Sequence, residues 1–162
     1  MAITTGIAWC DATANFWIGC TKVSPACDHC YAEAEWANRR RRVTWGPHGA
    51  RDFVKAGAGV IRTVQKNAAE FCQMRGRPPI VFINSLSDFA DNHASIDPTW
   101  RTAVWNCIRT APDVMFVILT KRPQNFRRFL PPDWLQNPRR NVWFGTTVGV
   151  KKSLWRIDEL RN

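Results

Sequence analysis

The sequence predicts an α/β protein built on a parallel sheet. Three apolar runs of strand length carry that expectation: "IVFIN" (80–84), "VMFVILT" (114–120) and "NVWFGTTV" (141–148). A helical pattern follows each of them: "IDPTWRTAVWNCIRTA" (96–111), "PQNFRRFL" (123–130) and "VKKSLWRIDELR" (150–161). Strands that are apolar throughout belong to sheets buried on both faces, and helical crossovers provide that cover in parallel sheets. Asp97 and Pro98 form a cap followed by a first-turn proline, which fixes the start of the helix at 96–111. With 162 residues, 45% of them hydrophobic, the chain is long enough to bury a core. It reads as a single domain, 1–162, with a cysteine-rich loop at 19–33 and βα units over about 80–162.

Upstream, residues 1–19 read as a strand or extended lead-in. "DHCYAEAEWANRR" (28–40) reads as a helix capped by Asp28. Residues 43–59 contain five Gly or Pro and read as a loop. "VIRTVQKNAAEFCQM" (60–74) reads as a helix broken by "GRPP". Each apolar strand ends in polar residues: "NSLSD" (84–88), "TKRP" (120–123) and "GTTV" (145–148). Parallel α/β sheets place their working residues at these C-terminal strand ends.

No apolar run is long enough to span a bilayer, and "MAITTGIAWCDA" lacks the basic segment and apolar stretch of a secretory signal. A cytoplasmic location is expected, where six cysteines stay reduced. The formal charge of +10 suits a polyanionic partner such as nucleic acid. Arg39, Arg40, Arg41 and Arg42 form one basic run, and Arg127 and Arg128 sit beside aromatics, an arrangement suited to phosphate and base contact. A solvated helix end accounts equally for such charges. The nine tryptophans are expected mostly in the core or at interfaces.

Cys20, Cys27 and Cys30 fall within eleven residues, in "GCTKVSPACDHCYAE" (19–33). Clustered thiols in a reducing compartment indicate metal rather than disulfides. A structural zinc site needs four ligands. Cys10, His29 and His48 are the candidates for a fourth; His29 lies awkwardly between two of the thiols, and Cys10 is in reach. Three thiolates on a four-iron cluster leave one iron open. Cys72 and Cys107 lie in predicted helices and are expected in the core.

"IAWCDATANFWIGCTKVSPACDHCYAE", "VFINSLSDFAD", "LTKRPQNF" and "NVWFGTTV", in order over residues 7–148, resemble a phage- and prophage-borne family with a cysteine loop similar to that of radical S-adenosylmethionine enzymes. The resemblance implies a partial (β/α) barrel, about half of a full one. It implies a 4Fe-4S cluster on Cys20, Cys27 and Cys30, with S-adenosylmethionine as the second cofactor. His29 stands where an aromatic residue packs near the adenine. Ser85, Ser87 and Asp88 would bind the amino group or ribose, and Lys121 and Arg122 the carboxylate. The implied activity is cleavage of S-adenosylmethionine to act on a substrate not identified by the sequence, nucleic acid being one candidate, in the cytoplasm of a bacterial host. The alternative is a non-catalytic module, stabilised by zinc or a cluster, that binds nucleic acid or a host or phage protein. The first gap between cysteines is six residues where the common radical loop has three, and Cys10 stands where the family has threonine. If Cys10 is a fourth ligand, the site closes and zinc is the expected metal.

The resembled family runs longer than this chain. Half a barrel would expose an edge strand and a broad apolar face. Association with a second copy or a protein partner, or truncation, is therefore expected, with Trp143 and Trp155 at the exposed edge. The three sulfurs are expected to converge near the helix start at Asp28, on the same sheet edge as Asp88 and the Lys121–Arg122 pair.

Overall fold

A computed structural model describes residues 5–161. The elements in chain order are β1 (Ala12–Ala14), β2 (Trp17–Ile18), α1 (Tyr31–Glu33), β3 (Asp52–Phe53), α2 (Ala56–Lys66), α3 (Ala68–Arg75), β4 (Ile80–Ile83), α4 (Pro98–Arg109), β5 (Met115–Thr120), α5 (Phe126–Phe129), α6 (Pro132–Gln136), β6 (Val142–Thr146) and α7 (Trp155–Arg161). One sheet has the order β1-β4-β5-β6 with every pair parallel. β2 and β3 form a separate antiparallel pair. The fold is mixed α/β, and the sheet stays open: no closed barrel forms among the described residues. No helix among them is long and apolar enough to cross a membrane.

The expected lead-in at 1–19, of which residues 1–4 lie outside the described residues, supplies β1 of the main sheet and then β2, from which the chain enters the cysteine loop. The helix expected from Asp28 starts later. Pro25 opens a 3₁₀ turn, Pro25–Cys27, which Asp28 closes by donating its N–H to Pro25 O at 3.0 Å; Cys30 then takes the cap position of α1. After Glu33 the helix continues in wider π-type turns over Ala34–Arg39. The helix expected at 60–74 is two. Asn67 Nδ2 donates to Thr63 O at 2.8 Å and the backbone breaks there, a side-chain bond competing with the helical one. α2 also begins within the expected loop, because Gly57 serves packing rather than a turn. A Cβ there would come within 2.6 Å of Asn15 O and 2.9 Å of the Phe16 ring. Asp97 caps α4 as expected, accepting from Thr99 N at 2.8 Å. Cys72 departs from expectation: it lies exposed on α3, while Cys107 packs against the core.

Register explains the core. Ala12, Val81, Phe116 and Val142 are cross-strand neighbours, as are Ala14, Ile83, Ile118 and Phe144. Side chains alternate along a strand, so these two rows share one face. They pack beneath Ile61 of α2, Val104, Trp105 and Ile108 of α4, and Trp134 of α6. Trp105 anchors this layer, edge-on to Phe89 and Trp134 and donating its N–H to Phe129 O at 3.0 Å. Trp17, Trp105 and Trp134 are buried, Trp36, Trp45 and Trp100 half-buried, and Trp9, Trp143 and Trp155 exposed; of the nine only the first three and Trp100 serve the core, fewer than expected.

The other face lacks helical cover, as expected of half a barrel and against the cover on both faces that the apolar strands call for. It carries Ile80, Phe82, Met115, Val117, Leu119 and Trp143. Of these only Phe82 is buried, with the Trp9 ring 5.0 Å away. The remainder floor a trough of about 550 Å³ with walls at Trp9 and Trp143. Helices cross over on one side alone, and no helix among the described residues covers the second.

Neighbouring β5 positions test this asymmetry. Ile118→Ala should cost about 2–5 kcal/mol, and Val117→Ala about 1 kcal/mol or less. Urea unfolding of the two variants measures the difference; equal large losses would show that the second face is covered.

Candidate functional site

The C-terminal ends of β1, β4 and β5 are stitched together by side chains. Asn84 leaves β4 with φ of 58°, a left-handed conformation that asparagine tolerates. Its N–H donates to Ala14 O at 2.9 Å and its Oδ1 accepts from Phe16 N at 2.8 Å. Asn15 Oδ1 accepts from Leu86 N at 2.9 Å. The chain then passes Gly19, which bridges to Ser87 and has φ of 109°. A Cβ at Gly19 would sit 3.1 Å from Arg51 Cδ, so glycine lets the cysteine loop turn tightly over that arginine.

Beneath the loop runs a buried chain of alternating charge: Arg51, Asp91, Arg122 and Asp88. Asp88 accepts from Thr120 Oγ1, from Ala90 N at 3.0 Å, from Lys121 N at 2.9 Å and from Arg122 Nη1 at 3.0 Å. Four donors occupy the acceptor sites of one carboxylate. Arg122 also donates to Thr21 O at 2.8 Å and lies 3.7 Å from Asp91, and its Nη1 approaches Cys20 Sγ at 3.6 Å. Burial opposes the Arg122 charge, but Asp88, Cys20 and Asp91 outweigh it and hold the guanidinium above its ordinary pKa. Arg51 spends all five N–H groups: two on Asp91 Oδ2 at 2.9 and 2.7 Å, two on the carbonyls of Gly46 and Gly49 at 3.0 and 2.6 Å, and one on Thr21 Oγ1 at 2.8 Å.

Cys20, Cys27, Cys30, His29, Ser85, Ser87, Asp88, Lys121 and Arg122 line one pocket of about 390 Å³, a usual volume for a small-molecule site. The strand ends and the cysteine loop thus share one edge of the sheet. Trp9, Tyr31, Trp45 and Phe82 supply apolar walls, and Tyr31 Oη donates to Ser85 O. Ser87 Oγ is buried without a partner among the described residues. The thiols differ. Burial pushes Cys20 up to about 11, with Asp88 adding to the shift and Arg122 opposing it. Burial also acts to raise Cys27, but the backbone N–H groups of Val23 and Ser24, with Lys121, more than offset it and bring Cys27 below the ordinary thiol value. The sulfurs share the pocket wall without closing into a coordination set: among the described residues no three His, Cys, Asp or Glu side chains group to hold a metal ion. Cys10 is buried just before β1, its thiol 3.9 Å from Ile7 O, and it is absent from the pocket wall, as is His48.

The basic run is largely spent on local acids. Arg39 and Arg40 pair with Glu35, and Arg42 with Asp52, all at the surface. Arg40 and Arg42 also lie over the Trp36 ring, at 4.8 and 5.5 Å. Arg41, Arg127 and Arg128 are exposed and have no carboxylate partner among the described residues. Sequence reading missed Arg51 and Asp91. Arg51 sits alone in a glycine-rich segment without a pattern to mark it. Asp91 follows Asp88 by three residues in "SDFAD", and that paired-acid spacing was the available signal.

The family described as "Protein of unknown function (DUF5131)" matches residues 4–162. The chain belongs to that family. The match takes in the cysteine loop, all three polar strand ends and α7, so the pocket lies wholly within the family's span. No curated protein and no solved structure matches the chain.

Two outcomes are expected of this geometry. Asp88→Ala leaves Arg122 buried without its main partner and should cost about 3–5 kcal/mol in chemical denaturation; a variant as stable as the parent would show that the carboxylate is not structural. The thiolate is the reactive form of cysteine. Alkylation of Cys27 in the apo protein should therefore rise at a pH below the ordinary thiol value, and that of Cys20 only as the pH approaches about 11. Mass spectrometry across a pH series reads both; coincident profiles would remove the predicted difference.

Proposed function

We propose that this pocket is a cluster site of the radical S-adenosylmethionine type, held in a partial (β/α) barrel. One observation carries the reading: Cys20, Cys27 and Cys30, from a loop after β1, meet the strand ends of β4 and β5 on a single pocket. The sequential parallel strand order, with crossovers on one side, supports the partial barrel. The donor types, three thiols on one loop, suit such a group, although the sulfurs do not converge into a coordination set among the described residues. Cys27 is biased toward thiolate by neighbouring N–H groups and Lys121, and Ser87 Oγ lacks a partner. Cys10 stands away from the wall, which favours three protein thiolates over four.

In this reading Cys20, Cys27 and Cys30 bind a 4Fe-4S cluster. Bound there, a cluster with an open iron supplies an electron and a coordination position for S-adenosylmethionine. Lys121 attracts the ligand's carboxylate, and Ser85, Ser87 and His29 line the space beside it. Asp88 and Arg122 act on the ligand mainly by fixing the loop, since their hydrogen bonds are made within the protein. Trp9, Trp45 and Phe82 exclude water from that side. Nucleic acid is the substrate class that the +10 charge favours, and a phage or prophage protein in a bacterial cytoplasm is the setting that goes with the resemblance.

Anaerobic purification with iron and sulfide analysis tests the site. Iron and sulfide near four each per chain are expected, with Cys→Ser at position 20, 27 or 30 removing most of both. Zinc alone would replace this reading with that of a metal-stabilised binding module. In calorimetry, Lys121→Ala should weaken S-adenosylmethionine binding by about tenfold; an unchanged affinity removes Lys121 from the site.

A further inference from the structure

Between Pro123 and Arg140 the chain carries four arginines and one acid, Asp133. The arginines come as two adjacent pairs, Arg127–Arg128 on α5 and Arg139–Arg140 after α6, and all four are exposed. The helical layer brings both pairs to one aromatic cluster. Trp105 donates to Phe129 O at 3.0 Å and meets the Trp134 ring edge-on at 5.0 Å. Arg128 lies over Phe129 at 5.7 Å, and Arg109 and Arg139 lie over Trp134 at 5.4 and 5.8 Å. Asp133 is spent on Arg109, at 2.6 Å. Among the described residues none of the four paired arginines has a carboxylate partner. None of them lines the cysteine pocket.

Packing accounts for part of this surface, since the stems of Arg109 and Arg139 shield the Trp134 ring. It does not account for Arg127 and Arg140. Like charges on one face repel, and a polyanion relieves that repulsion while releasing its own counterions. We propose that this face, α5 with the turn between α6 and β6, binds the phosphate backbone of double-stranded nucleic acid. The rings select a duplex over a single strand. Single-strand sites offer open aromatic platforms to the bases, whereas Trp105 and Trp134 are buried here. Arginines without open rings beside them hold phosphates and read no sequence. The proposal rests on the nucleic-acid part of the function proposed above and not on the cluster.

Fluorescence anisotropy with a short labelled DNA duplex of mixed sequence, measured on the metal-free whole chain across a salt series, tests it. Affinity should fall with salt at a log–log slope of about −3.6, for four phosphates at about 0.9 each. Arg127→Gln combined with Arg140→Gln should reduce that slope by about 2. Both side chains are exposed, so circular dichroism and the urea midpoint should match the parent. Lys55→Gln combined with Arg75→Gln removes the same charge from the start of α2 and the end of α3, and should leave the slope unchanged. No binding, a slope unmoved by the first pair, or an equal loss from the second would overturn the proposal. So would tighter binding of the corresponding single strand, or of polyglutamate, which would give the face to an unpaired strand or an acidic protein. Iron and sulfide analysis reports on the cluster separately, so the two readings fail independently.

Discussion

The Asp88 carboxylate, buried at the end of β4, is the point on which the site depends. Removing a carboxylate from water is costly unless its acceptor sites are filled and an opposite charge lies near. Here Thr120, Lys121 and Arg122 reach it from the end of β5. The same Arg122 reaches on to the Cys20–Thr21 segment. One buried charge thus fixes two neighbouring strand ends and the loop above them. Arg51 repeats the device from the far side through Asp91 and Thr21. Arginine suits both positions because its planar fork offers five donors in fixed directions, against three on lysine's compact ammonium.

The sheet gives this clamp its footing and also its incompleteness. Parallel strands in sequential order bring successive C-terminal ends to one edge, and the polar residues after them meet there. The same order sends every crossover to one side. The strands are nonetheless apolar on both, as "MFVILT" of β5 shows: Phe116 and Ile118 are fully buried, while Met115, Val117 and Leu119 remain half-open. The site pocket and the trough on the bare face share Trp9 and Leu119 as common wall. Whatever occupies one therefore adjoins the other.

Much of this was legible in the sequence, for identifiable reasons. The strands at 80, 115 and 142 announce themselves as apolar runs, and the Asp97–Pro98 cap marks α4 because capping is local chemistry. The gathering of the three cysteines with the strand ends follows from parallel topology. β1 was harder, since "ATA" is too short and too small to stand out, and only its pairing with β4 makes it a strand. Gly57 looked like a breaker because the nearby Asn15 carbonyl cannot be inferred from its neighbours. Arg51 and Asp91 were invisible as a pair for the same reason: they lie 40 residues apart and meet only in the fold. The open face meets one expectation and not the other: half a barrel leaves an apolar face exposed, whereas strands apolar throughout call for cover on both faces, since an apolar strand states what its surface requires and not what is present to supply it.

The spacing of the clamp along the chain sets an order on biosynthesis. Cys20 and Arg122 are 102 positions apart. A ribosome adds residues at roughly 5–20 per second, so the thiols leave the tunnel seconds before the arginine that closes over them. In that interval the loop is a flexible strand of free cysteines without a pocket, open to oxidants and to any soft metal ion nearby. The pocket itself exists only when β5 and its polar end have been made. Burial of Cys20 is thus a late event in the making of the chain.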